Sequence, residues 1–219
     1  ASSRDRGRIV VSAIEHTCVL AAAQAAQGEG FEVVRVPPGK DGLIDPAAVA
    51  AVVNDRTALV SVMAVNNEIG TVQPLREIAG ACGDVGAVFH TDAAQALCGM
   101  PLLAAESGAD LISLSAHKAY GPKGIGALYV RRDSPVRPQA ILHGGGQEQG
   151  LRSGTLPTPL CVGFGEACRI LACERDSEIT RIAALRNRLL LGLQRTVPGL
   201  AINGTMTTAR IVCMSRIVM

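Results

Sequence analysis

The stretch Ala58-Leu59-Val60-Ser61-Val62-Met63 is a short run of apolar and β-branched residues that predicts a buried strand. A helix-like segment follows at about 75–82, and a second apolar run, Ala87-Val88-Phe89-His90, comes directly after it. A strand, a helix and another strand in this order are typical of a parallel sheet covered by helices. This unit decides the fold, because the same alternation continues on both sides of it.

The alternation extends over the first 130 residues of the chain. Four more strand-like runs lie at 8–12, 31–36, 111–114 and 125–130, and alanine-rich helical stretches lie at about 17–27 and 46–54. Asp45-Pro46 is typical of a helix start, with a capping acid before a proline at the first helical position. We therefore expect an α/β fold with a mostly parallel sheet covered by helices.

The pattern changes near residue 160. Residues 160–195 place charged side chains on one face and apolar side chains on the other, which predicts one or two long helices leaving the sheet. We expect a large domain over 1–160, and linking helices with the start of a smaller domain over 161–219.

Composition excludes several classes of protein. The chain has 219 residues, 48% of them apolar, and a net charge of +2 without a basic cluster, which argues against a nucleic-acid binder. No apolar run approaches about 18 residues and no signal-peptide pattern is present, so we expect neither a membrane span nor secretion.

The seven cysteines show no C-x-x-C spacing. Each is expected to be a buried hydrophobe in a protein of the reducing cytoplasm.

Polar residues follow the predicted strands at the points where these strands end. Ligands of parallel sheets bind at the carboxyl ends of the strands, so these residues are candidates for one site. They are Glu15-His16, Asn66-Asn67-Glu68, Thr91-Asp92-Ala93-Ala94-Gln95 and Ser115-Ala116-His117-Lys118.

Other types of site fit less well. His143-Gly144-Gly145-Gly146 resembles the oxyanion segment of lipases, but the chain has no G-x-S-x-G nucleophile motif. The glycines after Tyr120 match neither phosphate-binding loop pattern. His90 and Asp92 could begin a metal site, but no third ligand is evident, so no metal site is predicted.

Five segments, taken together, resemble the cysteine desulfurases, which belong to the class V aminotransferase group of fold-type I enzymes that use pyridoxal phosphate (PLP). The resemblance runs from about residue 8 to about 204, in the family's order and spacing. The segments lie at 15–16, 66–70, 90–95, 115–124 and 144–155.

The resemblance implies a role for each matching residue around PLP. Lys118 would form the Schiff base with the cofactor, and Asp92 would pair with the pyridine nitrogen so that the ring acts as an electron sink. His16 would stack on the ring and is, with Lys118, a candidate catalytic residue. Gln95 would donate a hydrogen bond to the ring oxygen, with Asn67 beside it.

The resemblance also implies partners and a reaction. Ser115 and His117 would hold the phosphate, and Thr155 would reach the phosphate of a neighbouring subunit, which implies a homodimer. The family removes sulfur from L-cysteine to give L-alanine and an enzyme persulfide, which passes to an acceptor such as an iron–sulfur scaffold protein. Selenocysteine is an alternative substrate, because selenocysteine lyases share most of these motifs.

Some parts of the family pattern are not found. The segment with the Ala-Thr pair that cradles the phosphate would precede Ala1, and the loop with the persulfide cysteine and the substrate-binding arginine would follow Gly204. None of the seven cysteines has a matching context. We therefore expect a fragment of such an enzyme. The alternative is a non-catalytic chain that keeps a PLP-binding or dimerisation module.

Overall fold

A six-stranded sheet forms the centre of the protein. In the computed structural model, which describes residues 6–134, 136–202 and 217–218, the strand order is β2-β1-β3-β4-β5-β6. The first five strands are parallel, and β6 runs antiparallel to β5, so the mostly parallel sheet is confirmed. The strands are β1 (Arg8–Ser12), β2 (Glu32–Val36), β3 (Thr57–Ser61), β4 (Val88–Asp92), β5 (Leu111–Ser115) and β6 (Gly126–Val130).

Helices connect and cover these strands. They are α1 (Thr17–Gly28), α2 (Pro46–Val52), α3 (Leu75–Asp84), α4 (Ala104–Ser107) and α5 (Thr158–Thr196), followed by a small antiparallel pair, β7 (Ala201–Ile202) and β8 (Ile217–Val218). The Asp45 carboxylate accepts a hydrogen bond from the Ala47 N–H at 2.9 Å, which confirms the predicted cap of α2. The one-turn helix α4 was not predicted.

The core lies on both faces of the sheet. Val10, Val60 and Phe89 are paired in register and are fully buried on one face, in a cluster that includes side chains of α2 and α3. On the opposite face, Val11 packs in a second cluster with Ala23 of α1. Successive residues along a strand therefore face different helix layers, as expected for a sheet buried on both sides.

The predicted long helix is confirmed, as the single helix α5. Its first half packs Phe164 and Leu171 against Ala116 and Ala119, which follow β5. Further along, its apolar side chains are exposed, at Leu185, Leu189 and Leu191. The apolar stripe in the sequence therefore packs against the sheet domain only over the first part of the helix.

The expectation that every cysteine is buried was wrong. Cys82 is buried on α3, Cys98 and Cys168 are half-buried, and Cys18, Cys161 and Cys173 are exposed. Three thiols lie on helix faces that no other described element covers, which the composition of the chain does not reveal. Cys213 lies outside the described residues.

Candidate active site

The carboxyl edge of the sheet brings the predicted segments together. Strands β1, β3, β4 and β5 are parallel neighbours, so their carboxyl ends lie on the same edge. His16 follows β1, Asn67 follows β3, Asp92 ends β4, and Ser115 ends β5. Lys118 follows in a one-turn 3₁₀ helix, Ala116–Lys118. Segments that are distant in sequence thus meet because the chain repeatedly returns to this edge.

Asp92 is held firmly but keeps acceptor capacity. Its Oδ1 accepts the Ala94 N–H at 2.9 Å, and its carbonyl accepts the Ala64 N–H at 2.8 Å. In the part of the chain that the structure describes, its Oδ2 receives no hydrogen bond. A half-buried carboxylate with one open oxygen is suited to pair with a cationic N–H group.

His90 lies two residues before Asp92 on the same face of β4 and is held between two serines. Its Nδ1 is 2.8 Å from the Ser61 hydroxyl and its Nε2 is 2.8 Å from the Ser113 hydroxyl. Burial lowers the pKa of His90 below its usual value, and the nearby Asp92 carboxylate opposes that shift. The imidazole therefore serves as a neutral hydrogen-bonded link across three strands.

Glu15 is buried directly before His16. Its Oε1 accepts hydrogen bonds from the Ser12 hydroxyl at 2.5 Å and from the Met63 N–H at 2.6 Å. Burial raises the pKa of Glu15 to about 7, although both hydrogen bonds lower it, and Asp92 raises it further. The motif drew attention to Glu15, but its burial could not be predicted, because the contact at Met63 depends on how β1 and β3 pair.

His16 caps helix α1 and is exposed. Its Nδ1 accepts the Cys18 N–H at 3.3 Å and lies 2.9 Å from the Cys18 thiol sulfur. These contacts orient the ring while its outer face stays open to solvent. The position is compatible with stacking on a flat ligand at the sheet edge.

Lys118 projects from a tight turn. The Ala116 carbonyl accepts both the Ala119 N–H at 2.8 Å and the Gly121 N–H at 2.9 Å, and a Cβ on Gly121 would lie 3.0 Å from that oxygen. The Lys118 side chain is exposed and forms no ion pair with any residue that the structure describes. Its amine is thus available to react.

A hydroxyl and an imidazole lie beside this lysine. The Ser115 hydroxyl is 2.9 Å from Nδ1 of His117. Together they offer adjacent donors of the kind that bind phosphate oxygens.

Three predicted residues are not linked to this set. Asn67 and Gln95 are half-buried and Thr155 is exposed. Within the described ranges, their side chains form no hydrogen bond with the other predicted site residues. Their roles remain predictions.

The described ranges hold neither a cluster of metal-ligating side chains nor a helix that could span a membrane. No group of three or more His, Cys, Asp or Glu side chains there is arranged to hold a metal ion. None of the helices there is both long and apolar enough to cross a bilayer.

Curated proteins similar to this chain are cysteine desulfurases. The human cysteine desulfurase is 45% identical over 196 residues, which cover 90% of this chain and 43% of that protein. The mitochondrial cysteine desulfurase of Arthroderma benhamiae is 50% identical over 191 residues, which cover 87% of this chain and 38% of that protein. The chain thus spans less than half the length of these relatives.

Solved structures agree with this similarity. A NifS-like protein superposes with a TM-score of 0.87 at 34% identity, covering 94% of this chain and 56% of its own. DndA from Streptomyces lividans superposes with a TM-score of 0.85 at 38% identity, covering 94% of this chain and 58% of its own. The predicted fold class and the resemblance to cysteine desulfurases are confirmed. The family model "Aminotransferase class-V" matches residues 1–217, and the chain therefore belongs to the class V aminotransferase family.

Proposed function

We propose that this chain forms the PLP-binding part of a cysteine desulfurase, which converts L-cysteine to L-alanine and transfers the sulfur to an enzyme cysteine thiol, so that a persulfide forms there. The observation that carries the proposal is the meeting of Asp92 and Lys118 at one sheet edge with the paired side chains of Ser115 and His117. Similarity to the human and Arthroderma benhamiae proteins supports L-cysteine as the substrate.

The side chains at this edge match the chemistry of PLP, which is an aromatic aldehyde with a basic ring nitrogen and a phosphate. The open oxygen of Asp92 would accept the ring N–H, and the exposed imidazole of His16 would cover the ring. The Ser115 hydroxyl and His117 would donate to the phosphate. When bound, PLP withdraws electrons from the substrate α-carbon.

Lys118 has two tasks in this proposal. Its exposed amine would hold the cofactor covalently before substrate arrives, and would afterwards move a proton at the substrate α-carbon. Gln95 and Asn67 would complete the polar contacts to the ring. Both roles rest on the resemblance in motif, since neither side chain forms a hydrogen bond with the other described site residues.

Covalent trapping tests the cofactor assignment. The protein is incubated with PLP, reduced with borohydride and digested, and modified lysines are identified by mass spectrometry. The chain has three lysines, Lys40, Lys118 and Lys123, so Lys123, exposed in the same loop, provides a matched control. We expect labelling at Lys118 that K118A abolishes and K123A leaves unchanged. Labelling of Lys123 and Lys118 to equal extents in folded protein would refute a specific site.

The reaction and the partners require separate measurements. Alanine release from L-cysteine and from L-selenocysteine distinguishes the desulfurase from a selenocysteine lyase. PLP binding without any alanine release would favour the non-catalytic binding module.

We further propose a homodimer in which Thr155 reaches the partner's phosphate site, so T155V is expected to weaken PLP binding without displacing it from Lys118. An iron–sulfur scaffold is the proposed sulfur acceptor.

We also propose that the protein acts in the cytoplasm. The sequence predicts the reducing cytoplasm, whereas the relative from Arthroderma benhamiae is named as mitochondrial. Fractionation of cells that express the full protein with a tag at its C-terminus distinguishes the two compartments.

A further inference from the structure

The carboxyl group of Glu15 joins two segments that the cofactor proposal does not connect. It accepts the hydroxyl of Ser12, at the end of β1, and the N–H of Met63, two residues beyond β3. Glu15 is only 6% exposed, and its Oε2 is buried without a hydrogen-bond partner. Burying a carboxyl group with one bare oxygen is costly, so its retention calls for a function.

The Met63 contact leads directly to Asp92. The residues on either side of Met63 are bonded to β4, since the Val62 N–H donates to the His90 carbonyl at 3.1 Å and the Ala64 N–H donates to the Asp92 carbonyl at 2.8 Å. Glu15 therefore ties the backbone immediately before His16 to a segment that is fixed against Asp92.

We propose that Glu15 is a positioning residue of the cofactor site, which holds the segment bearing His16 in register with the strand end bearing Asp92. The inference rests on the proposed function, because that proposal places His16 over the ring and Asp92 at the ring nitrogen of the same ligand. Glu15 touches neither cofactor nor substrate in this proposal. It acts only through the backbone on both sides of it.

A second hydrogen bond allows the role of Glu15 to be tested in a protein that still folds. The Asn66 side-chain amide donates to the Ile14 carbonyl at 3.1 Å and joins the same two segments. Loss of the Glu15 carboxyl therefore leaves one connection in place. We expect the E15A variant to fold with a looser segment around His16.

The charge of Glu15 supplies a pH signature. Burial raises the Glu15 pKa to about 7 and the Asp92 carboxylate raises it further, while the Ser12 and Met63 contacts lower it. A cation paired with Asp92 would cancel the repulsion between the two carboxylates and favour the ionised form of Glu15. Binding of PLP through a protonated ring nitrogen would then release a proton from Glu15, and binding would strengthen as pH rises through about 7.

The experiment compares wild type with E15A, E15Q and the control E29Q, which removes the charge of an exposed glutamate at the end of α1. Amide hydrogen exchange without cofactor reports on the segments around residues 14–18 and 62–64. We expect exchange in E15A to be faster by about tenfold, as for a lost hydrogen bond to a buried carboxyl group, and E15Q to restore most of the protection. E29Q should match wild type.

PLP titration then tests whether loss of Glu15 weakens cofactor binding. We expect E15A to bind PLP about tenfold more weakly, with Lys118 still the residue trapped by borohydride. The ratio of wild-type to E15Q affinity should rise with pH between 6 and 8. A purely structural glutamate would not produce this pH-dependent ratio.

The outcomes separate the two proposals. Unchanged exchange in E15A, or equal PLP affinity in wild type and E15A at every pH, overturns the positioning role of Glu15. Absence of trapping at Lys118 in all four proteins instead refutes the cofactor assignment, and the exchange data still decide whether Glu15 holds the segment.

Discussion

Gly126 approaches Leu114 so closely that a Cβ on residue 126 would lie 2.5 Å from the Leu114 carbonyl oxygen. Gly126 begins β6 and pairs with Ser115, the last residue of β5 before the turn that carries Lys118. We expect Gly126→Ala to lower the free energy of unfolding by about 1–3 kcal/mol, because β6 must move away from β5. Urea denaturation measures the change.

Gly165 provides the matched control for that substitution. It lies within α5, and apart from its chain neighbours and the adjacent backbone of that helix, no described heavy atom lies within 4 Å of the position where its Cβ would be. Gly165→Ala should stabilise the protein by about 0.5–1 kcal/mol through helix propensity. Equal unfolding midpoints for the two variants would contradict the close approach at Leu114.

The link from Ser61 through His90 to Ser113 predicts a specific effect of pH. His90 has a folded pKa below its ordinary value of 6.5, so the folded protein binds this proton less readily than the unfolded chain. Stability should therefore fall as pH drops below about 6.5. In His90→Phe, this part of the acid dependence should disappear.

The same variant leaves the Ser61 hydroxyl buried without its partner, which should cost about 1–3 kcal/mol near neutral pH. Thermal unfolding from pH 5 to 8 measures both effects. His143→Phe, a change at an exposed histidine, is the control. An identical slope below pH 6.5 in wild type and His90→Phe would show that His90 is not shielded from water.

The buried carboxylate of Asp110, directly before β5, is paired with Arg131. Asp110 is 5% exposed, its Oδ2 accepts the Phe89 N–H at 2.8 Å, and its Oδ1 lies 2.5 Å from Arg131 Nη2. Arg131→Leu should cost about 3 kcal/mol, at the low end for a broken buried pair, because the guanidinium is partly exposed. Arg132→Leu, at the exposed neighbour, should change stability by less than about 0.5 kcal/mol. Similar denaturation curves for both variants would rule out an important Asp110 pair.

Thiol reactivity should follow burial. Burial raises the pKa of Cys82 to about 12, and this residue is 1% exposed on α3, whereas Cys161 and Cys173 are exposed on α5. Only the thiolate reacts, so iodoacetamide at about pH 8 should modify Cys161 and Cys173 in folded protein and spare Cys82 until denaturant is added. Peptide mapping gives the rates, and prompt native modification of Cys82 would contradict the packing of α3.

Much of the sheet could be predicted because its strands are apolar on both faces. The run at 58–63 and its neighbours show this directly, although β3 begins and ends earlier than the run, at Thr57–Ser61. The position of Asp92 was predictable too, since polar residues at the carboxyl ends of parallel strands meet at one edge. The role of Asp92 toward PLP was predicted from the resemblance to cysteine desulfurases, not from the pattern of strands and helices.

Features that depend on pairing register could not be predicted. The serines on both sides of His90 are distant in sequence, and only the alignment of β3, β4 and β5 brings them within hydrogen-bond distance. The burial of Glu15 has the same origin. The exposed cysteines of α5 reflect a helix that leaves the sheet surface, which composition does not encode.

The strand order has a consequence for how the chain assembles. Every pair of neighbouring strands in the sheet is consecutive in sequence except β1 and β3, which are separated by β2 alone. The entropy cost of closing each of these loops is therefore modest, because no described strand of this sheet pairs with one more than two strands away in sequence. A nascent chain emerging from the ribosome can add β3, β4 and β5 in the order of their synthesis, so Asp92 and Lys118 come together at one edge only when β5 has docked.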